Sequence, residues 1–157
     1  MQPSINLDMP DVPVPAPVYF GLLLAVGYCL QLLLPIENAA TAAQFLAGWA
    51  MIAVAAALLL WCFALFVRKR TTIMPKNPVA VLVEQGPYRY SRNPMYVSLA
   101  LFHLGIALST ANPWHFITFI PDMLAIRYWV IAPEEAYMQA RFGPEYSEYC
   151  AAVRRWI

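Results

Sequence analysis

Two short clusters hold most of the side chains that can grip a charged small molecule. The first is Gly86-Pro87-Tyr88-Arg89-Tyr90-Ser91-Arg92-Asn93-Pro94-Met95-Tyr96, which sets two arginines, three tyrosines and an amide beside an apolar run. The second is Glu134-Glu135, followed by Phe142-Gly143-Pro144-Glu145-Tyr146 and Tyr149. Guanidinium and amide N–H groups suit a carboxylate, and paired carboxylates suit an ammonium. Together the clusters offer the complement of a zwitterionic amino-acid moiety. Taken alone, the first also fits an interfacial belt, because tyrosine and arginine favour the headgroup level of a membrane, and adjacent carboxylates at a membrane boundary are ordinarily just solvated. Cys29, Cys62 and Cys150 are far apart and show no paired spacing, so neither a disulfide framework nor a metal site is expected.

Further ionisable residues lie within apolar stretches, where charge is costly and suggests a functional site or a buried pair. Arg127 stands seven residues before Glu134, about two helical turns, so a regular helix projects both from one face. His103 follows Tyr96 by the same interval and shares its face. Arg127 and His103 are therefore the candidate catalytic residues. The competing role for His103 is a hydrogen bond between helices, and for Asp122 an ion pair or a helix cap.

The elements that position these residues follow from hydropathy. The chain has 157 residues, of which 61% are hydrophobic and 12% charged, with a mean hydropathy of +0.55. A soluble domain carries roughly a quarter charged residues, so this surface suits lipid better than water. A net charge of +1 gives no field that argues for nucleic acid. One all-α domain over 1–157 is expected, with an irregular proline-rich lead-in over 1–16 and no basic region of a cleaved leader. About four transmembrane helices are expected, near 18–34, 39–67, 95–109 and 115–132. Ala47, Gly48, Ala50, Ala53 and Ala57 in the second would let another helix approach closely. The stretch 71–94 reads as a loop with one short element around Val79–Val83, and 133–157 as an amphipathic helix at the interface. Of ten Lys and Arg, nine fall within 68–92 or 141–155. Four spans put those stretches on one side, and the excess of basic residues makes that side, with both termini, cytoplasmic.

The run GPYRYSRNPMY, the Glu134-Glu135 pair and FGPEYSEY, in that order, resemble the isoprenylcysteine carboxyl methyltransferase and phospholipid methyltransferase superfamily, over roughly residues 72–156. The resemblance implies an integral membrane enzyme that binds S-adenosyl-L-methionine between its cytosolic loop and its last helices. No glycine-rich strand–turn–helix motif is visible that would favour a Rossmann sheet instead. It implies cofactor contacts from Val81, Leu82 and Val83, from the following Gly86, from Tyr88, and from Asn93, Pro94, Met95 and Tyr96. Glu134, with Glu135 beside it, would meet the cofactor's amino group. Members of the superfamily most often carry histidine where this chain has Asn93, and Arg92 can supply the charge that an amide lacks. Those acting on prenylated cysteine carry an arginine where this chain has Val130; here Arg127 lies about one turn away.

These readings converge on methyl transfer to a lipophilic small molecule or lipid (a carboxylate, amine or thiol), with the oligomeric state undefined. The alternatives are a small four-helix transporter, for which Asp122 and Arg127 speak, and a cofactor-binding membrane protein without turnover.

Overall fold

Proline starts most of the helices in this chain. Its fixed φ suits the first helical turn, and its missing N–H is not needed there. The computed structural model describes residues 10–69 and 81–157, and the helices α1 (Ala16–Leu33), α3 (Pro94–Thr110), α4 (Pro113–Ala125), α5 (Ala132–Phe142) and α6 (Pro144–Ala152) all carry proline in their first turn. The exception is α2 (Ala42–Arg68), which opens on a reciprocal cap. There the Thr41 hydroxyl accepts the Gln44 N–H at 3.2 Å, and the Gln44 side chain accepts the Thr41 N–H at 2.9 Å. Between α3 and α4, Ala111 takes a left-handed conformation at φ 48° and the Asn112 side chain accepts the Trp114 N–H at 2.9 Å.

No strand occurs among the described residues, and the four expected apolar helices are all present. α1, α2 and the continuous helix Pro113–Phe142 are long and apolar enough to cross a membrane. α3, at 17 residues, spans about 26 Å. α2 packs on α3, α1 on α4, and α3 on α4. Large apolar side chains such as Leu22, Leu33, Leu46, Leu60 and Trp61 remain exposed, as a lipid-facing surface requires.

The residues buried on α2 are Gly48, Ala55 and Cys62, one small side chain every seven positions. Of the small residues expected to admit a neighbour, only Gly48 lies in this stripe; Ala47, Ala50, Ala53 and Ala57 are exposed, because they fall on other faces of the helix. A Cβ on Gly48 would lie 2.5 Å from the Ser109 nitrogen and 2.6 Å from the Gly105 oxygen, and one on Gly105 would lie 2.9 Å from the Gly48 oxygen. Backbone faces backbone here, which only glycine permits.

The fourth span does not stop at Ala132. α4 passes through a π-helical turn, Ile126–Ile131, straight into α5, giving 30 residues of unbroken helix. Within it the Ala132 N–H bonds the Arg127 carbonyl five residues back. Pro133 follows immediately. A proline lacks the N–H of the regular ladder and crowds the carbonyl four residues earlier, and a widened turn relieves both. Pro121 sits in α4 without such widening, so Pro133 permits the wide turn rather than dictating it. The segment after Pro133 is thus two helices: α5, continuing the span, and α6 beyond Gly143 at φ 55°. The expected lead-in over 1–16 lies mostly, and the element around Val79–Val83 partly, outside the described residues. Val81–Val83 form neither helix nor strand.

Candidate functional site

The N-terminus of α3 and the start of α5 meet. Pro94 opens α3 and places Tyr96 in its first turn, while α5 carries Glu134 and Glu135 in its own. The Tyr96 hydroxyl donates to the Glu134 carboxylate, 2.7 and 2.8 Å from its two oxygens. Glu135 is bound separately. Arg155 grips it with a two-pronged fork, Nε to Oε1 at 2.7 Å and Nη2 to Oε2 at 2.8 Å, and Arg92 Nη2 lies 3.4 Å from Oε1. The Glu135 carboxylate holds the Arg155 guanidinium above its ordinary value.

The chain end closes the cluster. Arg92 N–H donates to the Arg154 carbonyl at 2.9 Å. The Arg155 carbonyl accepts the Asn93 side-chain amide at 3.0 Å and the Ser91 hydroxyl at 3.4 Å. Arg92 Nε is buried with no hydrogen-bond partner. Buried N–H groups are seldom left unpaired, so this one is a donor in want of an acceptor.

Beside the polar cluster lies an apolar one. Val83 and Tyr88 are buried with Cys62 of α2, and Met95, Phe66, Leu58 and Leu65 pack around them. The Tyr88 ring lies 5.7 Å from that of Phe66, and its carbonyl accepts the Tyr149 hydroxyl at 2.7 Å. Burial pushes both phenols above their ordinary range, so each stays a neutral donor. Gly86 opens the 3-10 turn Gly86–Arg89 at φ 60°. A Cβ there would lie 2.8 Å from Leu65 Cδ1. Leu82 and Gly86 line an open cavity of about 580 Å³ with Lys69, Glu84, Gln85 and Arg89, whereas Val81 is exposed. Thus Tyr96, Glu134, Glu135, Arg92 and Asn93 form one cluster, while Pro94 opens α3 beside it and Met95 packs on the apolar side. Tyr88 and Val83 form the apolar neighbour, and Val81 and Leu82 lie at the margin.

Arg127 and His103 fall elsewhere. Arg127 belongs to the π turn, with its guanidinium 5.5 Å from the ring centroid of the exposed Tyr128. The wide turn breaks the 3.6-residue count that would align it with Glu134. His103 is fully buried, its Nδ1 2.9 Å from Asp122 Oδ2 and its Nε2 3.0 Å from the His115 carbonyl. A carbonyl only accepts, so Nε2 carries a hydrogen. The His103–Asp122 contact then holds one shared proton, either on the ring as an ion pair or on the acid. Asp122 is thus the partner of a buried pair rather than a cap, and the pair joins α3 to α4.

Arg155 escapes sequence reading. Its partners lie 20 residues upstream across two helices and on the loop before α3, and no short spacing marks them. The one available signal is a basic residue just beyond a helix that faces an acidic pair.

A bundle of helices long and apolar enough to cross a membrane, with a polar cluster gathered at one end, defines a polytopic membrane protein. The chain belongs to the phospholipid methyltransferase family, whose model matches residues 43–145, and so to the superfamily of integral membrane methyltransferases. It is also similar to an uncharacterized protein of Haemophilus influenzae, 40% identical over 63 residues, which are 40% of this chain and the whole of that protein.

Proposed function

We propose that this protein transfers a methyl group from S-adenosyl-L-methionine to a lipophilic acceptor at the cytosolic face of a membrane, with both termini on that side. The observation that carries this reading is the Tyr96–Glu134 hydrogen bond at 2.7 Å, which joins segments 38 residues apart in one polar patch at the end of an apolar bundle.

The residues present fit the donor's amino-acid end. Glu134 offers a half-buried carboxylate for the ammonium, and the unpartnered Arg92 Nε with the second N–H of Asn93 offers donors for the carboxylate. Val83, Tyr88 and Met95 supply apolar surface next to them. When bound, S-adenosyl-L-methionine supplies a methyl group already activated by a sulfonium sulfur, for attack by a carboxylate, amine or thiol. The work left to the chain is to align the partners and exclude water. A carboxylate or thiolate needs no strong base, while an amine must first lose a proton.

The acceptor reaches the site from the bilayer. Arg127, flanked by the exposed Tyr128 and Trp129, stands where it can meet an anionic or polar end of a lipid. His103 has both ring nitrogens committed and in this reading secures α3 to α4 rather than moving protons for the reaction.

Purified protein incubated with radiolabelled donor and a membrane lipid extract should yield a labelled lipid. Glu134→Ala should abolish binding of S-adenosylhomocysteine in a calorimetric titration. Unchanged affinity in that variant would remove the basis of the assignment.

A further inference from the structure

Glu134 and Glu135 are neighbours in sequence, yet they are bound by different parts of the molecule. Glu134 accepts from Tyr96, whereas both oxygens of Glu135 are taken by the Arg155 fork, with Arg92 beside it. The main chain around Arg155 also accepts from Ser91, from the side chain of Asn93 and from the backbone of Arg92. The tail beyond α6 therefore ties the segment before α3 to the start of α5.

Two adjacent carboxylates at the edge of a low-dielectric bundle repel each other, and both attract any cation that enters. A guanidinium that matches one carboxylate prong for prong neutralises it and fixes its direction; lysine supplies the charge but not the fork. The Asn93 amide has two N–H groups, and the Arg155 carbonyl accepts one, orienting the other.

We propose that Arg155 is a positioning residue of the methyl-donor site: it withdraws Glu135 from the ligand, so that Glu134 alone receives the ammonium, and it sets the Asn93 amide for the carboxylate. This rests on the reading of the site given above. Arg155 itself touches no reacting atom; it acts through Glu135 and Asn93. In its absence Glu135 becomes a second, misplaced acceptor for the ammonium.

The test is a calorimetric titration of S-adenosylhomocysteine into detergent-solubilised wild type, R155A, R155K, E135A and E135A/R155A, with kcat and donor KM measured alongside. R155A should weaken binding about tenfold and raise donor KM by a similar factor, with kcat changed far less. R155K should recover part of the loss, and it keeps the test open should R155A fail to fold. E135A/R155A should bind more tightly than R155A, because no idle carboxylate remains to compete. A general loosening of the fold would make the double variant as weak as R155A or weaker, and that result overturns the proposal. So does R155A with wild-type affinity, or E135A with the complete loss expected of E134A. A wild-type protein that binds no S-adenosylhomocysteine would instead overturn the donor-site reading, and this proposal would go with it.

Discussion

The hydroxyl of Tyr96 is the donor to a half-buried carboxylate, and Tyr96→Phe removes that atom while keeping the ring. A hydrogen bond to a charged group contributes about 1.5–3 kcal/mol, so S-adenosylhomocysteine should bind roughly tenfold or more weakly to this variant in calorimetry. Gly86 tests the apolar side. Alanine there would be strained both by φ 60° and by the approach to Leu65, and a melting temperature several degrees below wild type is expected. A variant as stable as wild type would show that the turn relaxes. Much of the cluster is legible from residue types, since Tyr96, Asn93 and the glutamate pair have the chemistry a zwitterion needs. What cannot be read is how the glutamates are shared out. Glu134 goes to Tyr96 and Glu135 to Arg155 because α5 presents them in different directions, and only the packed tail brings Arg155 to one of them.

At the scale of helices, the contact of α2 with α3 is the tightest, and Gly48→Ala places a methyl against the Ser109 and Gly105 backbone. Rotamer changes cannot relieve a backbone clash, so a loss of about 1–3 kcal/mol should appear as a lower midpoint in detergent unfolding. The link between α3 and α4 is polar. Asp122→Ala strands the buried His103 ring, and breaking such a pair costs about 3–5 kcal/mol. Asp122→Asn, whose amide N–H can donate to the bare Nδ1 of a neutral ring, should cost much less. If the folded Asp122→Asn protein lost ligand affinity while remaining stable, the pair would serve the site rather than the bundle. The apolar runs are legible because nothing charged interrupts them. The end of the fourth is not, because Pro133 reads as a terminator by its missing N–H, and a wide turn that absorbs it leaves no mark on hydropathy. The same turn undoes the alignment of Arg127 with Glu134, which presumes a constant pitch.

Across the whole molecule, the Tyr96–Glu134 and Arg155–Glu135 contacts bring the loop before α3 and the chain end together at one end of the bundle. Arg68, Arg92, Arg154 and Arg155 all belong to that end, and the turn between α1 and α2 belongs to the other. Cysteines introduced singly at Glu84 and Ile157, in a background lacking the native three, should react with a membrane-impermeant reagent only from the cytosolic side. One at Glu37 should react only from the opposite side. Labelling of the first two positions from different sides would separate the halves of the site. The expectation of this orientation comes from the basic residues alone, which cluster independently of how the helices pack.

The π turn has a consequence for the register of everything that follows it. Each residue advances an α-helix by about 100° and a wide turn by less, so removing a single residue from Ile126–Ile131 and restoring ordinary pitch would leave the acidic pair nearly in phase with Tyr96. A residue added there at ordinary pitch would instead turn the pair by about 100° away from Tyr96. The wide turn thus absorbs the surplus residue with little net rotation, and one unbroken rod serves both as a lipid-spanning wall and as a mount for its two carboxylates.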